Sequence, residues 1–138
     1  MRSIILITMM CMTIYCASSQ KCQSPYEGYN GKCVWVNTQE KKTVSEAQTK
    51  CLMGYPKGKL ATHIDDRDKK YIYTRLAGGA FYVWVGAGFS KPTWSDGTLA
   101  DNLGDIKGHE QGKCIYTDGQ TYGAKDCNEK LGFVCYAL

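Results

Sequence analysis

The amino-acid sequence predicts an α+β domain in which two helices, small antiparallel sheets and a long irregular loop are stapled by disulfide bonds. Strand-like segments lie at both ends of the chain, two helical segments lie close together in its first half, and a glycine-rich stretch precedes the last strands. Strands and helices therefore do not alternate, as they would in a parallel α/β sheet. The cysteine content predicts disulfides, which small exported domains use to supplement a modest core.

The first residues have the layout of a secretory signal peptide. A basic residue follows the initial methionine, residues 3–15 carry no charge, and Ala17 and Ser19 place small side chains before the cleavage site. The apolar run is too short to span a bilayer, and no later segment reaches the roughly 18 apolar residues that a membrane helix needs. The sequence thus predicts a signal peptide over residues 1–19 and a secreted, extracellular domain over residues 20–138.

The charge balance argues against a nucleic-acid partner. The chain has 17 Lys and Arg against 13 Asp and Glu, which gives a net charge of +4. The two signs are interspersed, as in residues 65–70, which read Asp-Asp-Arg-Asp-Lys-Lys. The sequence therefore does not indicate a contiguous basic face of the kind that binds a phosphate backbone.

Two of the eight cysteines lie in the predicted signal peptide. The others are Cys22, Cys33, Cys51, Cys114, Cys127 and Cys135. An even number in an oxidising compartment predicts a full set of disulfides, although spacing alone leaves their pairing open. Zinc binding is disfavoured because the sequence contains no Cys-x-x-Cys pair.

A tight turn is predicted at Asn30-Gly31, a dipeptide that favours a hairpin between two strands. Such a hairpin would bring Cys22 close to Cys33. Residues 31–36 contain β-branched and aromatic side chains and predict a strand.

Two helices are predicted next. Thr43 and Glu46 have the spacing of a capping box, which predicts a helix over residues 44–53 that ends at Gly54. A second helix begins near Asp65 or Asp66, because acidic residues suit the positive end of a helix dipole. This helix ends at Gly78-Gly79.

The second half of the chain predicts a buried strand, a long loop and two closing strands. The strand spans residues 81–86, which read Phe-Tyr-Val-Trp-Val-Gly. Residues 87–113 are rich in glycine and poor in large aliphatic side chains, so they predict an irregular loop. Loops of this length in a compact domain are commonly functional. The closing strands are predicted at residues 114–117 and 132–136.

Several segments together resemble the C-type-lectin-like domain. Residues 83–86, Val-Trp-Val-Gly, are similar to its Trp-Ile-Gly-Leu landmark, and residues 94–97, Trp-Ser-Asp-Gly, to the Trp-x-Asp-Gly segment that follows. Residues 58–63 resemble its Gly-x-Leu-Ala-x-Ile segment, and residues 132–135 its closing Gly-Phe-Ile-Cys. Cys127 lies eight positions before the last cysteine, as in the family. The resemblance covers essentially all of the chain after the predicted signal peptide.

The resemblance implies the long form of this fold and supplies a disulfide pairing. The implied bridges are Cys22–Cys33, Cys51–Cys135 and Cys114–Cys127. The first would close the N-terminal hairpin, the second would tie the first helix to the last strand, and the third would staple the loop region. Trp84 and Trp94 are then expected in the core and at the loop anchor.

The calcium motifs of sugar-binding members are not intact. In those members Glu-Pro-Asn or Gln-Pro-Asp in the long loop and Trp-Asn-Asp before the fifth cysteine supply oxygen ligands to a calcium ion that binds the sugar. The nearest equivalent of the first motif here is residues 105–107, Asp-Ile-Lys, and the Asn-Asp positions are Gly123 and Ala124. Calcium-dependent sugar binding and a resident cofactor are therefore not expected. An irregular calcium site remains an alternative, built from loop oxygens of Asp96, Asp101, Asn102, Asp105 and Glu110.

Catalysis is not predicted. His63 and His109 are the only histidines, and neither a Gly-x-Ser-x-Gly nor a His-Glu-x-x-His motif occurs. Paired cysteines would leave no thiolate nucleophile. The sequence therefore favours a non-enzymatic protein without catalytic residues.

The predicted function is calcium-independent binding of an extracellular protein or surface ligand through residues 87–113 and adjoining strands. One alternative is a carbohydrate-binding lectin that uses the loop carboxylates or the ring of Tyr116 or Tyr122. The ligand-binding candidates are accordingly Asp105, Glu110, Tyr116 and Tyr122. Another alternative is a structural or matrix protein, although the chain lacks acidic repeats. The oligomeric state is left open.

Overall fold

The computed structural model describes residues 22–88, 93–100, 103, 106–107 and 113–138. The two helices of this part of the chain are α1 (Val44–Met53) and α2 (Asp66–Arg75). Its strands are β1 (Glu27–Tyr29), β2 (Lys32–Lys42), β3 (Gly58–Leu60), β4 (Val83–Gly88), β5 (Thr93–Trp94), β6 (Ile106–Lys107), β7 (Lys113–Thr117), β8 (Tyr122–Asp126) and β9 (Leu131–Ala137). The predicted α+β class is confirmed.

The described strands join in one sheet of order β1-β2-β9-β4-β7-β8-β6, with β3 also paired to β9 and β5 to β4. Most pairs are antiparallel, whereas β4–β9 and β6–β8 are parallel. The pairing is therefore more continuous than the separate small sheets that the sequence predicts. The central strand β9 brings the end of the chain between β2 and β4, so the two halves of the domain share one scaffold.

The predicted N-terminal hairpin is present. Asn30 and Gly31 have φ angles of 51° and 72°, which is the left-handed conformation that a type I′ turn requires at both central residues. Strand β2 continues well beyond the predicted residues 31–36, to Lys42, because β9 pairs with it at Val34–Asn37 and again at Lys42. A register shift follows Asn37, whose side chain accepts hydrogen bonds from two backbone N–H groups of the shifted segment.

The capping box predicted for α1 is present. Thr43 Oγ1 accepts a hydrogen bond from the Glu46 N–H at 3.2 Å, and Glu46 accepts one from the Thr43 N–H at 3.0 Å. A second capping box, between Asp65 and Asp68, begins α2. This helix ends earlier than the predicted Gly78-Gly79, because the backbone already turns left-handed at Ala77.

The strand predicted at residues 81–86 begins later, at Val83. Trp84 is fully buried, and its indole N–H donates to the Lys42 carbonyl at 2.9 Å. Phe81 and Tyr82 are 42% and 46% exposed, so the prediction that they belong to a buried strand is wrong. The sheet register explains the difference, since β9 and β7 begin to pair with β4 only at Val83.

The three disulfides implied by the resemblance are present. Cys22–Cys33, Cys51–Cys135 and Cys114–Cys127 join residues separated by 11, 84 and 13 positions. The longest connects α1 to β9 and lies inside the smaller of two core clusters, with Trp84 and Phe133. The larger cluster lies beneath α2 and the described parts of the long loop.

Candidate ligand-binding surface

The long loop begins after Gly88 in β4 and ends at Lys113 in β7, and its short strands β5 and β6 pair with β4 and β8. Four of the five predicted oxygen donors and the second histidine lie outside the described residues: Asp101, Asn102, Asp105, Glu110 and His109. Two described loop residues, Ala100 and Leu103, are buried in the larger core cluster. The loop is therefore attached to the domain by apolar side chains between its two ends.

The base of the loop is held by Trp94. Its indole is 2% exposed, and its backbone pairs with Ala87 in β4. The next residue, Ser95, donates its N–H to the Gly86 carbonyl at 2.6 Å. The prediction that Trp94 anchors the loop is confirmed, and residues that follow it start from a fixed position on the sheet.

Asp96 closes the turn after this anchor. Its Oδ1 accepts hydrogen bonds from the Thr98 N–H at 3.0 Å and from the Thr98 hydroxyl at 2.6 Å. Its Oδ2 lies 2.7 Å from His63 Nε2. The Thr98 bonds, and then the His63 contact, hold the pKa of the Asp96 carboxyl well below its ordinary value. The Asp96 side chain therefore holds the turn at residues 96–98 and joins it to His63.

The His63 contacts do not form a hydrolytic triad. A triad uses one imidazole nitrogen for the carboxylate and the other for the nucleophile. Here both the Asp96 carboxylate and the Thr98 hydroxyl, at 3.1 Å, approach the same atom, Nε2. The Thr98 hydroxyl also donates to Asp96. The cluster therefore ties the segment between β3 and α2 to the base of the loop.

Tyr116 occupies the space beside Gly123, one of the two positions for which the sequence resemblance implies calcium ligands in sugar-binding members. Gly123 in β8 lies directly opposite Tyr116 in β7. A Cβ atom added to Gly123 would clash with both Cζ and Oη of the tyrosine. The other position, Ala124, packs against the larger core cluster. An asparagine at residue 123 thus does not fit unless the Tyr116 ring moves.

Tyr116 belongs to a small surface group that sequence reasoning missed, the aromatic–lysine cluster of Tyr82, Tyr116 and Lys125. The two rings meet edge to face with centroids 4.9 Å apart. Lys125 Nζ lies 5.3 Å from the centroid of Tyr116 and 5.4 Å from that of Tyr82, within the range of a cation–π contact. Burial, followed by the charges of its neighbours, raises the pKa of the Tyr116 phenol. The glycines before Phe81 are a sequence signal that Tyr82 precedes the strand.

Tyr122 does not offer a surface for sugar stacking. Its side chain is 2% exposed and packs in the larger core cluster. The hypothesis that Tyr122 stacks on a ligand is therefore corrected: its position before Gly123 points the ring into the core. Tyr116 is partly exposed, and Tyr82, which the sequence placed in a buried strand, is the most exposed ring at this site.

Two further properties bear on the type of site. Within the described ranges, no group of three or more His, Cys, Asp or Glu side chains could hold a metal ion. In the same part of the chain, no helix has the length and apolar character needed to cross a membrane.

Comparison with known proteins gives the family. The Lectin C-type domain matches residues 40–137. A Fowlpox virus (strain NVSL) protein named as a C-type lectin protein is 41% identical over 140 residues, covering 98% of both chains. The killer cell lectin-like receptor subfamily F member 1 of Macaca fascicularis is 28% identical over 120 residues. That match covers 83% of this chain and half of the receptor's length.

The fold comparison agrees with the sequence comparison. The crystal structure of human lithostathine superposes with a TM-score of 0.66 at 19% identity and covers 85% of this chain and 90% of that chain. Identity at this level supports the fold alone. The matched family region spans both helices and all but the N-terminal hairpin strands. The chain belongs to the C-type lectin family.

Proposed function

We propose that the chain is a secreted, non-catalytic recognition module that binds an extracellular protein or surface ligand without calcium. The observation that carries the proposal is the Tyr116 ring over Gly123, at a position where sugar-binding members of the family hold calcium. Removal of residues 1–19 as a signal peptide belongs to the same proposal. The three disulfides support export, because such bonds persist in oxidising compartments.

The aromatic–lysine cluster is the described surface that best fits a protein ligand. Tyrosine is enriched at the energetic centres of protein interfaces, where it supplies a large apolar area and a hydroxyl group. Tyr82 exposes nearly half of its surface beside the Tyr116 ring. The lectin-like receptor among the relatives adds support for a recognition role, although that protein is about twice as long as the matched region.

Calcium-free carbohydrate binding is the second candidate, and one observation favours it. The exposed ring of Tyr82 and the neighbouring Lys125 ammonium could stack on a sugar and donate hydrogen bonds to its hydroxyls. Because this candidate uses the same cluster, Tyr82→Ser should weaken the binding of either a protein or a carbohydrate ligand. Parallel screens of a glycan array and a panel of extracellular proteins, both in chelator, separate the two classes.

The first test is thermal unfolding of the oxidised domain in millimolar calcium and in chelator. We expect equal melting temperatures, because a ligand raises stability only when it binds the folded state. A saturating calcium site would add about 2.7 kcal/mol at a hundredfold excess over its dissociation constant. A clear upward shift in calcium would contradict the proposal and would assign a site to the loop oxygens. Magnesium at the same concentration controls for ionic strength.

Gly123→Asn is expected to destabilise the domain by about 1–3 kcal/mol without creating calcium binding, because the added side chain meets the Tyr116 ring. Urea unfolding measures the loss. The double variant Gly123→Asn with Tyr116→Ala should lose less than the sum of the two single variants, since alanine frees the space. Strict additivity of the two changes in free energy would show that the ring does not block this position.

A further inference from the structure

A second surface, at the C-terminal end of α1, exposes apolar side chains that the proposed recognition site does not use. Leu52, Met53 and Tyr55 are 54%, 78% and 86% exposed. Leu138 is 74% exposed, and its N–H donates to the Lys57 carbonyl at 3.0 Å, which places it beside the same segment. Four of the seven exposed large hydrophobic residues in the described part of the chain thus lie at this end. Such clustering marks an interaction surface.

The charged side chains within this segment of the sequence are all basic. Residues 47–64 contain no Asp or Glu, whereas they include Lys50, Lys57 and Lys59. Lys57 and Lys59 are exposed, and within the described residues neither forms an ion pair with a carboxylate. Lys50 pairs with Glu40 at 3.6 Å. We call Leu52, Met53, Tyr55, Lys57, Lys59 and Leu138 the apolar–lysine tip.

The segment that carries the tip is attached to β9 at both of its ends. Cys51, at the end of α1, is bonded to β9, and β3 begins at Gly58 and pairs with the same strand. The exposed side chains therefore stand on a short connection that is held at both ends. A groove of about 310 Å³ lies on one side of Met53 and Tyr55, and its other walls include the rings of Tyr26 and Trp35.

We propose that the apolar–lysine tip binds the surface of an anionic lipid bilayer. Met53, Tyr55 and Leu52 would enter the headgroup–acyl boundary, where apolar and tyrosine side chains partition favourably. Lys57 and Lys59 would lie at the level of the negative headgroups, whose surface potential attracts each lysine. The proposal goes beyond the proposed recognition function, because it places the module on a membrane surface and uses none of the residues of the aromatic–lysine cluster.

The lysines favour a lipid surface over a protein partner. Protein interfaces are depleted in lysine, whose charge and flexible chain are costly to bury and to order. Lys125 is already held over two rings, whereas among the described residues Lys57 and Lys59 make no ion pair or ring contact. At a bilayer the same lysines keep their hydration while their charge is attracted by the headgroups. Lysines that flank protruding apolar side chains without intervening carboxylates therefore fit an anionic bilayer better than an apolar protein groove.

The test is cosedimentation of the full secreted, oxidised chain with phosphatidylcholine vesicles, with and without about one-third phosphatidylserine. We expect binding only to the anionic vesicles and its loss in high salt. Tyr55→Ser and Met53→Ser should each weaken partitioning about tenfold, because each removes an apolar side chain from the boundary. Lys57→Gln should weaken it about fivefold.

Matched variants on other surfaces make the test specific. Leu99→Ser removes a side chain that is 65% exposed, and Lys70→Gln removes the charge of an exposed lysine in α2, but neither residue belongs to the tip. We expect both variants to bind vesicles as the parent does. Absence of binding to anionic vesicles by the folded parent would overturn the proposal. Binding that Tyr55→Ser and Lys57→Gln leave unchanged would overturn it equally. Neither result depends on the calcium test of the recognition function.

Discussion

Removal of the Cys51–Cys135 disulfide is expected to lower the free energy of unfolding by about 4.5 kcal/mol. The two cysteines are separated by 84 positions, and a crosslink that closes so long a segment removes much of the conformational freedom of the unfolded chain. Both residues are fully buried between α1 and β9, beside Trp84 and Phe133. Because small domains are marginally stable, a loss of this size is a large fraction of the total.

Urea unfolding of a Cys51→Ala, Cys135→Ala double variant measures this effect, and the hairpin disulfide provides the matched control. Cys22 and Cys33 are separated by only 11 positions, so the same replacement there should cost about 2.8 kcal/mol. We therefore expect removal of the Cys51–Cys135 disulfide to lower the free energy of unfolding more than removal of the Cys22–Cys33 disulfide. An equal or smaller loss for that pair would show that the linkage between α1 and β9 is maintained by packing alone.

The elements best predicted from the sequence are those whose determinants are local. The capping box of Thr43 and Glu46 determines where α1 begins, and the two residues are only three positions apart. The Asn30-Gly31 turn likewise depends on the backbone preferences of two adjacent residues. The disulfide pairing was different, because spacing left it open and the family resemblance supplied it.

Features that depend on pairing between distant strands were predicted poorly. Strand β2 extends to Lys42 because Leu131 pairs with it, nearly ninety positions later along the chain. The exposure of Tyr82 depends on where β9 and β7 begin to pair with β4. Composition favoured a strand in both regions but could not locate its ends, since hydrogen-bond partners determine them.

The candidate site shows the same division. The sequence identified Gly123 and Ala124 as positions where calcium ligands of the family are missing. It did not show that Tyr116 fills the space at Gly123, because that contact requires the register between β7 and β8. The sequence suggested Tyr116 as a ring on which a sugar could stack, yet this ring also covers Gly123 and contacts Tyr82. Asp105 and Glu110 remain predictions, since they lie outside the described residues.

Asp68→Ala is expected to destabilise the domain by about 3 kcal/mol, because it removes the carboxylate from a buried polar cluster. The sequence indicated only that the acidic residues at the start of α2 suit the helix dipole, but Asp68 is also buried, at 2% exposed. Its carboxylate forms an ion pair with Lys32 and accepts hydrogen bonds from the Asn30 amide at 3.2 Å and the Asp65 N–H at 3.3 Å. It therefore joins the N-terminal hairpin to the first turn of α2.

Asp66→Ala is the matched control, since Asp66 lies in the same helical turn and is exposed. Urea unfolding should show a change within about 0.5 kcal/mol for this variant. Asp68→Asn should fall between the two, because its amide oxygen can still accept hydrogen bonds while the ion pair with Lys32 is lost.

Lys32→Met should couple to Asp68→Ala in a double-mutant cycle, with the double variant less destabilised than the sum of the singles. If Asp68→Ala were as mild as Asp66→Ala, the hairpin would be held to α2 mainly by the stacked rings of Tyr29 and Tyr71. The buried carboxylate would then contribute little to the position of the hairpin.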